Sequence, residues 1–224
     1  MIYTIRTFHV HRKDYAEFVR FSEEQIWPAI EEKGARALGL WVVAIGGPER
    51  IFLMTRYDSH GHWEETRNWD NLANEGRGRT ALVHETECIS LLPLTQRQPD
   101  SDAPEKKPGI YTLRSFKVAP TDVSRFVDLS ENQWWPWVTR GEGVRPIGQW
   151  ITKSAPEDRI YMMTRYDSLY HWEGHHSNVG TIAQPDDPEM GKVWEIGQKA
   201  IQERKKITID TNVKVLRPIT SRRP

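Results

Sequence analysis

One run of residues in this chain is written twice, and it carries an acid, a base and a cation. Arg56-Tyr57-Asp58-Ser59, followed by His62-Trp63-Glu64, returns as Arg165-Tyr166-Asp167-Ser168, followed by His171-Trp172-Glu173. A guanidinium at Arg56 or Arg165 can hold an anionic group through forked hydrogen bonds. Tyr57 or Tyr166 can donate a hydrogen bond, and the imidazole of His62 or His171 can move a proton near neutral pH. Glu64 or Glu173 can orient or charge that imidazole. These eight are the candidate catalytic residues, with His171 as acid or base and Arg165 and Tyr166 positioning an oxygen. The same types also suit a structural role: Asp-Ser capping a helix, His and Trp packing on a sheet, Arg paired with Glu.

A second feature belongs to the latter copy alone. His171 and His175 stand four apart, on one face of a helix, the spacing of helical metal-binding His pairs. A third ligand such as Glu173 or Glu195 would be needed, and the first copy reads His62-Trp63-Glu64-Glu65-Thr66, without the pair. No metal is expected, and His171 and His175 are the residues that would bind one. The chain has 10 Trp. Trp27, Trp41, Trp134, Trp135, Trp150 and Trp172 are the candidate substrate-binding residues, able to line an apolar pocket between helix and sheet; ordinary core packing is the competing use of such rings. There is no Gly-rich phosphate loop, no nucleophile elbow and no paired-cysteine metal site, so no cofactor bound through those motifs is expected.

The elements that must position these residues follow from the repeat. Ile2-Tyr3-Thr4-Ile5-Arg6-Thr7-Phe8 returns 108 residues later as Ile110-Tyr111-Thr112-Leu113-Arg114-Ser115-Phe116. Ser22 to Pro28 returns as Ser130 to Pro136; after one inserted residue, Trp41 matches Trp150 and Met54 to Ser59 matches Met163 to Ser168. Leu92-Pro93-Leu94 corresponds to Arg217-Pro218-Ile219 at a larger offset, which puts extra residues near 180–193. Each copy reads as a strand at 2–10, a helix with apolar positions at Phe18, Val19, Ser22 and Ile26, a hairpin through Gly46-Gly47-Pro48, a helix opened by Ser59 or Ser168, a further helix, and a last strand (86–92; 207–216). Gly34 and Gly143 end the first helix of each copy. The order β-α-β-β-α-β is the ferredoxin-like motif. The expected fold is α+β, two tandem ferredoxin-like repeats at 1–96 and 110–224 joined by an exposed linker at 97–109 rich in Pro and charge. One copy leaves a sheet face bare, so two sheets should pack face to face as a dimeric α+β barrel, within one chain or between two.

The pattern Tyr-x-x-Arg-x-[Thr/Ser]-Phe of the first strand, the Gly-x-Trp strands at Gly39–Trp41 and Gly148–Trp150, and the Arg-Tyr-Asp-Ser turn resemble the NIPSNAP family over both halves. The resemblance implies a dimeric α+β barrel. It implies no single reaction, because relatives of that superfamily include small monooxygenases, dehydratases, haem proteins and members with no assigned activity. The chain departs from the simplest members in carrying two copies and in its His-Trp-Glu motif.

Composition narrows the partners. The 224 residues hold 31 basic and 31 acidic side chains with a pI near 7.1, which calls for neither nucleic acid nor an anionic membrane surface. No apolar run is long enough to cross a membrane. The first residues carry no basic-then-apolar leader, and Cys88 is alone; a cytoplasmic location is expected. The expectation is a small-molecule-binding barrel protein, an enzyme of lyase, isomerase or cofactor-free monooxygenase type acting on a small hydrophobic or aromatic carbonyl compound. Its surplus aromatic surface points to a homo-oligomer. Two alternatives stand beside it: a non-catalytic binding or assembly module with Trp134 and Trp137 exposed as a patch, and a haem- or metal-binding barrel.

Overall fold

Strand β1 (Ile2–Val10) alternates between two buried faces: Tyr3 and Ile5 enter one apolar cluster, Ile2 and Phe8 another. A strand with both faces covered needs a layer on each side, and the computed structural model shows both. It describes residues 1–67, 78–97, 109–152, 158–178 and 184–220.

After β1 come α1 (Tyr15–Phe21) and α2 (Trp27–Glu31), then β2 (Arg36–Ile45), β3 (Ile51–Tyr57), α3 (His60–Thr66) and β4 (Val83–Pro93). The second half repeats the order: β5 (Ile110–Val118), α4 (Val123–Asp128), α5 (Trp135–Gly141), β6 (Arg145–Thr152), β7 (Ile160–Tyr166), α6 (Leu169–Asn178), α7 (Pro188–Ile207) and β8 (Thr208–Pro218). Both last strands run longer than the sequence pattern predicts. The further helix expected in the first half and most of the expected linker lie outside the described residues.

The helix pairs α1/α2 and α4/α5 are each joined by a π-helical stretch, Ser22–Ile26 and Leu129–Trp134. Pro28 and Pro136 lie just beyond. Proline has no N–H and its ring crowds the carbonyl one turn back, so a widened turn accommodates it without breaking the helix. The Ser22 hydroxyl donates to the Phe18 carbonyl at 2.7 Å, and the Ser130 hydroxyl to that of Phe126 at the same distance.

The strands close into one barrel in the order β1-β3-β2-β8-β5-β7-β6-β4. Closure therefore occurs within the chain. Register is equivalent in the two halves: Tyr3 lies opposite Arg56 and Tyr111 opposite Arg165. Irregularities recur at Ala37/Gly39 and Pro146/Gly148, where Pro146 can sit without a ladder N–H. The seams between halves are β2 against β8 and β4 against β6.

Three cores result. The lumen holds Tyr3, Trp41, Tyr111 and Trp150 at its centre; Trp150 meets Tyr3 and Trp41 meets Tyr111 edge to face, ring centroids 5.5 Å apart in each pair. Each pair joins one half to the other. Outside the barrel, each half packs its own helices on its sheet, around Phe18 and Trp27 in the first and around Phe126, Trp134 and Trp137 in the second. Gly197 of α7 lets Trp137 approach closely, since an added Cβ there would lie 2.9 Å from the Trp137 Cβ. Among the described residues six Trp side chains are buried in this way, which places much of the aromatic surface inside the chain. Among the described residues no helix is long and apolar enough to cross a membrane.

Candidate functional site

The helix-opening serines act as the sequence predicts. The Ser59 and Ser168 hydroxyls accept from the backbone N–H of His62 and His171, each at 3.0 Å. The imidazole that follows is then used twice by backbone. His171 Nδ1 accepts from the Asp167 N–H at 3.3 Å, which leaves Nε2 protonated to donate to the Glu142 carbonyl at 2.8 Å. His62 does the same with Asp58 N–H (3.2 Å) and the Lys33 carbonyl (2.7 Å). Both rings tie the helix after β3 or β7 to the turn at Gly34 or Gly143, whose φ values are 85° and 66°. With both nitrogens engaged, His171 has no free site for a metal shared with His175. Among the described residues no group of three His, Cys, Asp or Glu is placed to hold a metal ion.

Period-two alternation separates the rest of the repeated run. Tyr166 lies in the outer cluster under the helices, with Met162, while Met163 points into the lumen. Arg165, on the lumen side of the strand, pairs with Asp167 at 3.1 Å. Arg165 and Tyr166 thus face opposite sides of the sheet and do not meet on one oxygen. Arg56 likewise lies close enough to Tyr3 to act on its phenol, while Tyr57 sits in the outer cluster. Glu64 pairs with Arg67 at 2.8 Å, and Glu173 is exposed. The tryptophans divide too. Trp41 and Trp150 fill the lumen rather than a pocket between helix and sheet, Trp27 fills the first helical layer, and Trp172 packs at the edge of the second with His176 stacked on it at 5.3 Å.

What the fold does bring together is a cavity of about 270 Å³ between the second-half helices and the outer face of β5 and β7. Thr112, Arg114, Met162 and Tyr166 form its floor; Trp134, Trp135, Ile201 and Arg204 close it; His175 and His176 stand at one side. His175 Nδ1 is paired with the carboxylate of Glu142, and both side chains are about nine-tenths buried (11% exposed). The His175 ring lies 5.5 Å from that of Tyr166 and 6.2 Å from that of Trp134. Burial first, then the Glu142 charge, raise the Tyr166 phenol to about 12 against the lowering pull of Arg114, so it is a neutral donor at physiological pH. Burial and the nearby Arg114 and His175 charges lower His176. Arg204, packed over Phe116 and Phe126 at 5.2 and 4.7 Å, is lowered by burial and by Arg114 to about 9, still a cation at neutral pH.

The first half holds only about 70 Å³ at the equivalent place, beside Arg6, Phe8 and Arg79. Its counterparts of Glu142 and His175 are Lys33 and Thr66, and the Thr66 hydroxyl is spent on the His62 carbonyl. A larger cavity, about 400 Å³, opens at one mouth of the lumen. Its charges are balanced, Arg50 lying 3.8 Å from Glu85, whereas the second-half cavity gathers two guanidiniums and an acid–base pair.

Sequence reasoning assigned Tyr166, Trp134 and Trp135 to a site and they border this one; it missed Glu142, Arg114 and Arg204. A signal was present. Lys33 to Glu142 and Thr66 to His175 are differences between otherwise matching copies, and together they create an acid–base pair.

A haem does not fit here: at about 270 Å³ the cavity has room for a single-ring ligand but not for a porphyrin.

Residues 3–96 match the NIPSNAP family model. No curated protein matches the sequence. A candidate monooxygenase from Lactobacillus acidophilus NCFM has a similar structure, with a TM-score of 0.59 at 14% identity over 98% of this chain and 94% of that one. An anthrone oxidase-like protein gives 0.55 at 10% identity, covering 98% and 91%. A mutant chlorite dismutase from Candidatus Nitrospira defluvii gives 0.55 at 6%, covering 97% and 92%. At such identities the likeness is one of fold, an α+β barrel of ferredoxin-like halves. Residues 3–96, the first of the two halves, are thus similar to the NIPSNAP family.

Proposed function

We propose that the second-half cavity is the active site of an enzyme that moves a proton beside the carbonyl of a small aromatic or apolar compound. The observation that carries this reading is the His175–Glu142 pair set in the wall of an aromatic cavity, facing a buried, protonated Tyr166. Glu142 fixes the tautomer with the proton on Nδ1 and steadies the imidazolium that forms, leaving Nε2 as the base. Nε2 takes a proton from the carbon next to the carbonyl. The C–H electron pair moves into an enolate, whose oxygen accepts a hydrogen bond from the Tyr166 hydroxyl. Trp134 and Trp135 exclude water from the charge that develops. Return of the proton at another position makes an isomerase, loss of a neighbouring group a lyase, and reaction of the enolate with dioxygen, giving a carbon hydroperoxide that loses water to leave a new carbonyl, a cofactor-free monooxygenase.

The names borne by two proteins of similar fold, a candidate monooxygenase and an anthrone oxidase-like protein, support the last of these classes. The first half, residues 1–96, then serves as the scaffold that completes the barrel, and 110–224 as the working half. The binding-module alternative required Trp134 and Trp137 on the surface; they are 5% and 3% exposed.

The test is solvent deuterium exchange beside the carbonyl, followed by proton NMR over a panel of small aryl ketones and aryl oxo acids. Wild type should exchange a subset above the buffer rate. His175→Gln and Glu142→Gln should each lose roughly 10²- to 10⁴-fold, the usual contribution of a general base. Exchange by no member of the panel, or full exchange by His175→Gln, would sink the reading.

A further inference from the structure

We infer that the ligand of this cavity carries a permanent negative charge of its own, a carboxylate seated between Arg114 and Arg204. The inference rests on the cavity being the working site. It names the substrate class.

Arg204 is 5% exposed, and its guanidinium makes no hydrogen bond or ion pair with any described residue; its Nε is fully buried and bare. Arg114, on the cavity floor, also has no carboxylate partner among the described residues, and its charge acts on Arg204. Among the described residues the carboxylate close by is Glu142, and His175 holds it. Glu203, next to Arg204 in sequence, is turned to solvent and taken by Arg125 and Lys206, each at 2.6 Å. Two guanidiniums thus share a partly open cavity, edged by Lys205, with no carboxylate partner among the described residues. A buried charge without a partner is destabilising, and an incoming anion relieves it.

The first half supplies an internal control. Arg79 occupies the place of Arg204, over Phe8 and Phe18 at 5.0 and 5.3 Å, but it donates to Ser22 Oγ at 3.5 Å and the space beside it is only about 70 Å³. Ser130, the counterpart of Ser22, makes the same bond to the carbonyl one turn back, but Arg204 makes no hydrogen bond to it. In the second half the same arginine is left with its donors unspent, beside room for a ligand. A guanidinium packed over two rings with its donors unspent suits the two oxygens of a carboxylate. The indoles of Trp134 and Trp135 complement an aromatic body. A single-ring aryl carboxylate or aryl oxo acid fits both the charge and the volume.

The experiment is isothermal titration calorimetry with benzoate and its neutral analogue benzamide. Wild type should bind benzoate, with benzamide weaker by roughly 10- to 100-fold, the worth of charge-assisted hydrogen bonds. Arg204→Met should lose benzoate affinity by a similar factor; should that variant fail to fold, Arg114→Gln carries the same expectation. Equal affinity for benzoate and benzamide, or benzoate affinity unchanged in Arg204→Met or in the folded Arg114→Gln, overturns the inference. His175→Gln separates this from the catalytic reading. If benzoate binding depends on Arg204 while His175→Gln still exchanges protons, the carboxylate site stands and the base is elsewhere.

Discussion

Replacing His171 by alanine removes an imidazole that bridges two backbone groups on either side of the cavity's edge. The bond from Nε2 to the Glu142 carbonyl, at 2.8 Å and partly buried, is worth about 1 kcal/mol net, and the longer one from the Asp167 N–H, at 3.3 Å and exposed, about half of that by the same scale. The ring also meets Tyr166 edge to face at 5.7 Å and 84°, a contact of about 0.5–1.5 kcal/mol. The loss should come to about 2–3 kcal/mol. For a chain of this size that lowers the melting temperature by roughly 5–10 °C. Thermal unfolding and urea titration measure it. Proton exchange, assayed well below the melting point, should fall less than about tenfold, because Glu142 is loosened but its carboxylate and His175 remain. His62→Ala should cost a similar amount, and the double variant the sum, since the two ties lie in different halves. An unchanged melting point together with lost exchange would refute this reasoning and put the base at His171.

Trp150→Ala should destabilise the barrel by about 3–5 kcal/mol, because the ring is fully buried in the lumen against Tyr3 of the other half; a urea titration showing less than about 1 kcal/mol would contradict a lumen packed across the halves. Tyr166 gives a pH signature. Its pKa is raised in the fold to about 12, mainly by burial, so its contribution is complete below the unfolded value near 10 and is lost as pH rises through about 12. Urea midpoints from pH 8 to 11.5 should fall less steeply for Tyr166→Phe than for wild type, and parallel curves would remove the phenol from the buried site.

Most of the fold was legible because duplication repeats its own punctuation. Ser59 and Ser168, Gly34 and Gly143, and the paired Trp41 and Trp150 occur at matching places and act alike. Strand order at the seams was not legible, because nothing in one strand's alternation says whether its open edge meets its own chain or another. The candidate site was read less well, for two physical reasons. Neighbouring residues on a strand face opposite sides, so the adjacent letters Arg165 and Tyr166 belong to different cores. What repeats is also what the scaffold needs: His62 and His171 recur because both turns require the tie. The features peculiar to one half, Glu142 and His175, carry the proposed chemistry, and the unspent Arg204 differs from Arg79 only in its surroundings.

The most direct test of the second-half cavity as the working site is a crystal of the protein soaked with 4-bromobenzoate and measured at the bromine absorption edge. The anomalous signal should show bromine among Trp134, Trp135 and Met162, with the carboxylate density reaching Arg114 and Arg204. Bromine in the lumen mouth near Arg50 and Lys214, bromine in the first half, or no site at all in either helical layer would contradict the account.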